Sequence, residues 1–190
     1  MNIERAGKTA LDEVMPAPDF RSRYTRRVDA DPATVWDTML TLSAEELPVS
    51  RNLMRLRSAG RTRLKGPLLE SFPTPTLLVD EGTELVKGKI AKFWRVQPEL
   101  APVEPGDAAQ FTAFTAPGWA KVALSLRVDP DGAGSVLSFE TRVRGTDAFA
   151  RRAFAPYWTL IRAGGAGFVR LEILGTIARR AERAAGRRAA

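Results

Sequence analysis

The chain has 190 residues, no cysteine, no histidine and a formal charge of +7. Without cysteine there are no disulfides and no thiolate metal sites. Without histidine the usual general base, the usual metal ligand and the Ser-His and Cys-His nucleophile pairs are gone.

Catalysis in such a chain rests on Asp, Glu, Lys, Arg, Tyr or bound water, and no cofactor or metal is expected. The length suits one domain that buries roughly 70% of its extended surface. No apolar run approaches the ~20 residues that cross a bilayer. The opening "MNIERAGKTALDEV" has Glu4, Asp12 and Glu13 where a signal peptide needs an apolar stretch, so the cytoplasm is the expected location. The arginines are scattered except in "IARRAERAAGRRAA" at the end, which reads as a solvated helix face and a frayed tail. No nucleic-acid motif is present and no aromatics interleave with that tail, so nucleic acid is not an expected partner.

Residues 1–20 read as an arm or loose first turn. "RSRYTRRVDA" then alternates, with Tyr24, Arg26 and Val28 against Thr25 and Arg27, as a strand with one wet face does. In "DADPATVWDTML", Asp31 is a good N-cap, Pro32 suits the first helical position, and Val35, Trp36, Met39 and Leu40 fall at helical spacing. "SAEEL" restarts a short helix capped by Ser43, which Pro48 is expected to end. "NLMRLRS" reads as a short strand, and residues 58–76, punctuated by Gly60, Gly66, Pro67, Pro73 and Pro75, as a loop.

Strand signals then follow in series: "TLLVD", a turn at Glu81-Gly82, "ELVKGKIAKFWRV", a loop at "APVEPGDA", then "QFTAFTA" before Pro117-Gly118. "WAKVALSLRV" sets Val122, Leu124, Leu126 and Val128 against Lys121, Ser125 and Arg127. After the turn "DPDGAG", "SVLSFETRV" sets Leu137, Phe139 and Val143 against Ser138, Glu140 and Arg142. Short turns between such strands predict an antiparallel sheet with one wet face. The cover for its apolar face is the last long element, capped at Thr146 or Asp147. Phe149, Phe154, Tyr157, Trp158 and Ile161 precede its glycines, and Phe168, Leu171, Leu174, Ile177 and Ala178 follow them.

The element order, with "VDADPATVWDTM" and "FAPYWTLIRAGGAGFVRLEILGTIARRAE", resembles the START-like helix-grip superfamily, also called SRPBCC, which includes polyketide cyclases, aromatase-like proteins and lipid-transfer domains. The resemblance covers roughly residues 22–184. Val35 and Trp36 match the apolar entry of the family's first helix, and the second motif its gripped helix. It implies an α+β fold: a curved antiparallel sheet of about six to seven strands gripping a long, bent C-terminal helix, two short helices after the first strand, and a cavity between sheet and helix. The expected division is an arm over 1–20, the helix-grip domain over 21–184 and a basic tail over 185–190. The resemblance implies no fixed catalytic set, and none is carried over.

Gly164, Gly165 and Gly167 interrupt the most apolar helical run, each at a cost of about 0.5–1 kcal/mol relative to Ala. Three readings stay open: a plain helix stop, a kink, or room left for a ligand. The expected layout is a helix over 147–162, a bend at 163–165 and a second segment to about residue 184.

Inward strand positions and the helix face supply the candidate ligand contacts. These are Val122, Leu124, Leu126, Leu137 and Phe139 by alternation, and Phe168 and Leu171 by helical spacing, each of which also fits plain core packing. Phe93, Trp94, Phe114 and Trp119 cluster near strand ends, where they line a pocket mouth or plug the core. Tyr157 carries a polar handle that wants a partner if buried. Among polar residues, Glu140 is expected to face water and Glu172 to pair with an arginine. Glu70, Glu84, Lys89 and Lys92 are left undecided.

Two functions follow. The first is a binding or carrier domain for an apolar small molecule such as a lipid, a polyketide-like aromatic or an isoprenoid. The second is an enzyme resembling polyketide cyclases or aromatases, which needs two convergent polar groups. Peripheral membrane contact, homodimerisation and a partner for the basic tail are left open.

Overall fold

The computed structural model describes residues 8–57, 65–72, 74–162 and 167–189. The first strand, β1 (Phe20–Val28), pairs with β6 (Gly134–Gly145), which pairs in turn with β5 (Ala120–Asp131), β3 (Glu84–Lys92) and β2 (Thr76–Asp80), while the short β4 (Glu99–Leu100) adds to β3. This is the expected antiparallel sheet, with six strands and β5 in its centre. The chain falls into two compact units, one of Met1–Ser22, Thr74–Leu126 and Glu140–Trp158, the other of Arg23–Pro73, Arg127–Phe139 and Thr159–Ala190.

In the first unit, the helices α1 (Ala10–Val14) and α5 (Ala108–Ala113) cover one face of β3 and β5. Leu11, Val14 and Met15 of the α1 region pack with Val86, Ile90, Phe111 and Ala123 in one apolar cluster. Phe111 fits closely over Gly88, where an added Cβ would stand 3.1 Å from its ring and 2.5 Å from the Leu77 side chain. The segment read as a loose turn is thus a helix with a capping box: Asp12 N–H donates to Thr9 Oγ1 at 3.1 Å, and Thr9 N–H to Asp12 Oδ2 at 3.0 Å.

The face expected to be wet is therefore covered here, and its polar side chains bond to one another. Glu140 does not face water. It is buried and takes Arg142 Nε at 2.6 Å and Arg21 Nε at 2.7 Å. Arg142 Nη1 continues to Asp12 Oδ1 at 2.6 Å and to the Met15 carbonyl at 2.8 Å. Burial alone would raise the Asp12 carboxyl, but hydrogen bonds from Arg142 and Thr9 and the guanidinium charge outweigh it and hold the pKa at about 2. Glu84, also buried, accepts from Ser125 and from the Ala10 N–H, so it too ties α1 to the sheet.

"QFTAFTA" is not a strand. Asp107 caps α5 by accepting from Gln110 N–H at 2.8 Å, and Phe111 drives the helix into the cluster. Buried Lys121 ends it, donating to the carbonyls of Thr112 at 2.8 Å and Phe114 at 3.2 Å. Asp147, rather than Thr146, caps the helix α6 (Ala148–Ile161), accepting from Ala150 N–H at 2.6 Å.

In the second unit, α2 (Pro32–Leu40) starts at Asp31, which accepts from Thr34 N–H at 2.9 Å, as its sequence indicates. A 3-10 turn over Ala44–Glu46 follows, capped by Ser43. Residues 52–57 of "NLMRLRS" lie in a helix, not a strand: α3 (Pro48–Arg57) begins at the proline that closes the preceding turn. Pro at the first helical position lacks only an N–H that the helix leaves unused. Its next two N–H groups, of Val49 and Ser50, donate to Glu172 at 2.8 and 2.7 Å. Glu172 thus caps α3, where an arginine was the expected partner. The described part of the 58–76 loop contains the short helix α4 (Leu68–Ser71).

The final helix, α7 (Gly167–Ala189), packs against α2 and α3 and buries Ile173, Leu174, Ile177, Ala178 and Ala181. Gly164, Gly165 and the bend placed at 163–165 lie outside the described residues.

Candidate functional site

The apolar cluster under α1 and α5 contains Val86, Ile90 and Ala123. Strand side chains alternate, so Lys87, Lys89, Val122 and Leu124 share the opposite face. Here that is called the inner face. On β5 the two faces differ sharply. Lys121, Ala123 and Ser125 are 7%, 0% and 3% exposed, whereas Val122 and Leu124 are only half-buried. Beside them, buried Lys87 donates from Nζ to Thr76 Oγ1 at 3.1 Å, and Lys89 Nζ lies 5.9 Å from the Phe93 ring centroid. The carboxylates of Glu84 and Glu140 are engaged on the other face. Among the described residues, no cluster of three or more acidic groups could hold a metal ion.

Phe93 and Tyr157 are brought together, with ring centroids 6.5 Å apart, at the rim of an aromatic group that includes Phe20, Phe154 and Trp158. Phe93, Phe154 and Trp158 are buried, so this group is a packed wall. Ser22, two residues along β1 from Phe20, has a buried Oγ with no hydrogen-bond partner. Trp94 meets Phe149 edge to face at 6.4 Å. Phe114 and Trp119 also meet edge to face, at 6.0 Å, but they pack on the α1 and α5 cluster, away from Val122 and Leu124.

In the second unit, Leu137 and Phe139 are buried, as is Leu126 at the end of the first. Phe168 and Leu171 do not point inward. They are 68% and 52% exposed. The stripe set by Leu174, Ile177, Ala178 and Ala181 projects back along α7 to Arg170 and Gly167, not to Phe168 and Leu171. A Cβ on Gly167 would stand 3.0 Å from the Tyr24 hydroxyl, so this glycine admits the tyrosine to the helix backbone. The Arg170 guanidinium lies 5.9 Å from the Tyr24 ring centroid and 5.5 Å from that of Phe139. Burial pushes its pKa below the ordinary arginine value. Neither Tyr24 nor Arg170 stood out in the sequence. The available signal was the helical spacing from Leu174 back to Arg170 and Gly167.

No family model and no curated protein matches the chain. Among solved structures it is similar to the protein MLL2253 from Mesorhizobium loti, at 14% identity over 86% of this chain and 98% of that one, with a TM-score of 0.39. It is similar to CalU16 from Micromonospora echinospora, at 14% identity over 84% of this chain and 66% of that one, TM-score 0.38. It is also similar to the Zhui aromatase/cyclase from Streptomyces, at 15% identity over 86% and 94%, TM-score 0.29. Likenesses this distant carry no argument about ligand or chemistry. The chain's own strand order, its short helices after β1 and its long terminal helix on the sheet give it the α+β architecture that the START-like resemblance implies.

Proposed function

We propose that this protein binds an apolar small molecule on the inner face of its sheet. The observation that carries this reading is the partial exposure of Val122 and Leu124 in the central strand, whose other face is sealed. Apolar surface left open in mid-sheet gains about 25 cal/mol per Å² when ligand carbon covers it. The aromatic wall with Phe93 and Tyr157 adds rigid apolar area, and the apolar stems of Lys87 and Lys89 extend it. The ligand class is a lipid, a polyketide-like aromatic or an isoprenoid.

Titration with a neutral dye that fluoresces in apolar surroundings tests the reading. Saturable uptake, abolished by Leu124→Glu in a chain that still folds, is the expected result. No uptake by the wild type overturns it. A cyclase-like reaction is a second reading, favoured by the two amines of Lys87 and Lys89 on the same face as the apolar patch. Proton transfer there would use these amines, of which Lys87 also donates to Thr76 Oγ1, while the Glu84 and Glu140 carboxylates lie on the other face.

A further inference from the structure

The second unit brings three arginines together at the seam between the end of β1 and α7, and the apolar reading uses none of them. Arg26 comes from β1, Arg179 and Arg183 from α7, and all three are exposed. Arg26 Nη1 and Arg179 Nη1 lie 3.6 and 3.2 Å from one point, the position of a Cβ on buried Gly175. The Arg179 guanidinium is held there by a bond from Nη2 to the buried Thr176 hydroxyl at 3.0 Å. Arg183 follows one turn on, so it shares that side of the helix, and its Nε donates to the Arg179 carbonyl at 3.0 Å. Gly175 leaves room for the convergence, since a Cβ there would crowd Arg179 Nη1.

Like charges one turn apart on a helix are destabilising, and here a third cation joins them from the sheet. Among the described residues, none of the three makes an ion pair, and Arg26 makes no hydrogen bond. Acids close to them in the chain are engaged elsewhere: Asp131 pairs with Arg27 at 3.2 Å, and Glu182 accepts from the Asp29 N–H at 3.4 Å. An anion seated over Gly175 would offset the repulsion.

We propose that Arg26, Arg179 and Arg183 bind a phosphate monoester. Such a group carries about −1.5 to −2 charge and three acceptor oxygens, which suits cations arriving from two different elements. Two N–H groups within 3.6 Å of one point reach neighbouring oxygens of a single tetrahedral anion, with charge-assisted bonds of about 2.7–2.9 Å. The outer N–H groups of Arg183 serve the third oxygen. A carboxylate offers one charge and two coplanar oxygens and leaves the third guanidinium unused. The site lies beyond the apolar function and does not depend on it.

Calorimetric titration of the full chain with phenyl phosphate, at ionic strength fixed by sodium chloride, tests this. Saturable one-to-one binding is expected, about tenfold tighter than that of benzoate and about tenfold weaker in Arg26→Gln and in Arg179→Gln. Arg187→Gln removes another exposed arginine of α7 and should change the affinity by roughly twofold or less. A second arm measures co-sedimentation with phosphatidylcholine vesicles with and without phosphatidic acid, whose headgroup is a phosphate monoester. Binding in the first arm assigns the phosphate to a small molecule. Binding only to phosphatidic acid vesicles, lost in R26Q and R179Q, assigns it to a lipid surface, and the site stands in either case. Binding in neither arm overturns the site. So does equal binding of phenyl phosphate and benzoate by the wild type, a comparison that needs no variant. Affinity retained in folded R26Q and R179Q, or lost equally in R187Q, also overturns it, because the charge responsible is then a diffuse basic surface.

Discussion

On one side of β5, Lys121, Ala123 and Ser125 are sealed beneath α1 and α5. On the other, Val122 and Leu124 keep part of their surface open. The alternation in "AKVALSLRV" is the same on both sides, yet the more polar side is the one that is closed. Closure there depends on a helix with its own cap, on the ring of Phe111 over Gly88, and on a chain of charges through Arg21, Glu140, Arg142 and Asp12. Charged groups are buried when each meets an opposite partner with good geometry. The apolar side leaves Val122 and Leu124 partly open, and on the function proposed above that difference separates the structural part of this sheet from the part that binds.

The comparison can be broken most severely at Phe111. Phe111→Ala should cost about 4 kcal/mol of stability, because the ring is fully enclosed and its loss leaves a hole over Gly88. Urea unfolding measures it, and a small loss would mean the outer face is less closed than described. Arg142→Ala should cost about 3 kcal/mol by leaving Glu140 and Asp12 without their shared partner. Retention of Arg21 on Glu140 keeps this below the Phe111 effect.

Leu124→Ala sharpens the contrast. It should cost about 2 kcal/mol or less, below the Phe111 effect, since the side chain is only partly enclosed, while weakening dye binding severalfold. A stability loss equal to that of Phe111→Ala would show Leu124 to be core.

The smallest effect is on acid stability. Asp12 has a folded pKa of about 2 against an ordinary 3.8. A depressed carboxyl stabilises fully above the unfolded value and loses that contribution as pH falls from 3.8 to about 2. Unfolding midpoints across that window should fall less in Asp12→Asn than in the wild type. Parallel curves would remove Asp12 from the account.

Much of this architecture was legible because it follows from local rules. Asp31-Pro32 starts α2 through an N-cap and a proline placed where its missing N–H does no harm. Turns at Gly82 and Gly132, both with positive φ, set the two hairpins. The alternation of β5 separates Lys121 and Ser125 from Val122 and Leu124, and their burial differs in the same way. The misreadings have one origin. Pro48 does end the short turn over Ala44–Glu46, but that it also starts α3 depends on an acceptor for the N–H groups behind it, Glu172, which is far away in sequence. "QFTAFTA" suits a strand by composition, but Asp107 and the pocket over Gly88 make it helical. Glu140 and Arg142 look solvated until Asp12 is brought to them from a helix near the start of the chain.

The candidate site divides in the same way. Val122 and Leu124 follow from period-2 alternation, Phe93 from its place near a strand end and Tyr157 from its polar handle. Phe168 and Leu171 were assigned inward because both are large and apolar, but the helix is oriented by the stripe from Leu174 to Ala181, which brings Arg170 and Gly167 to that side.

By itself, then, the sequence determined element identity wherever caps, turns and periodicity act over a few residues, and with them the fold class and the absence of histidine and cysteine chemistry. Only the tertiary structure decided which sheet face is sealed, which charges are paired and which way α7 faces the strands. Those outcomes depend on contacts between residues more than a hundred positions apart, as between Asp12 and Arg142 or Tyr24 and Arg170. No local pattern carries the energy of such a contact.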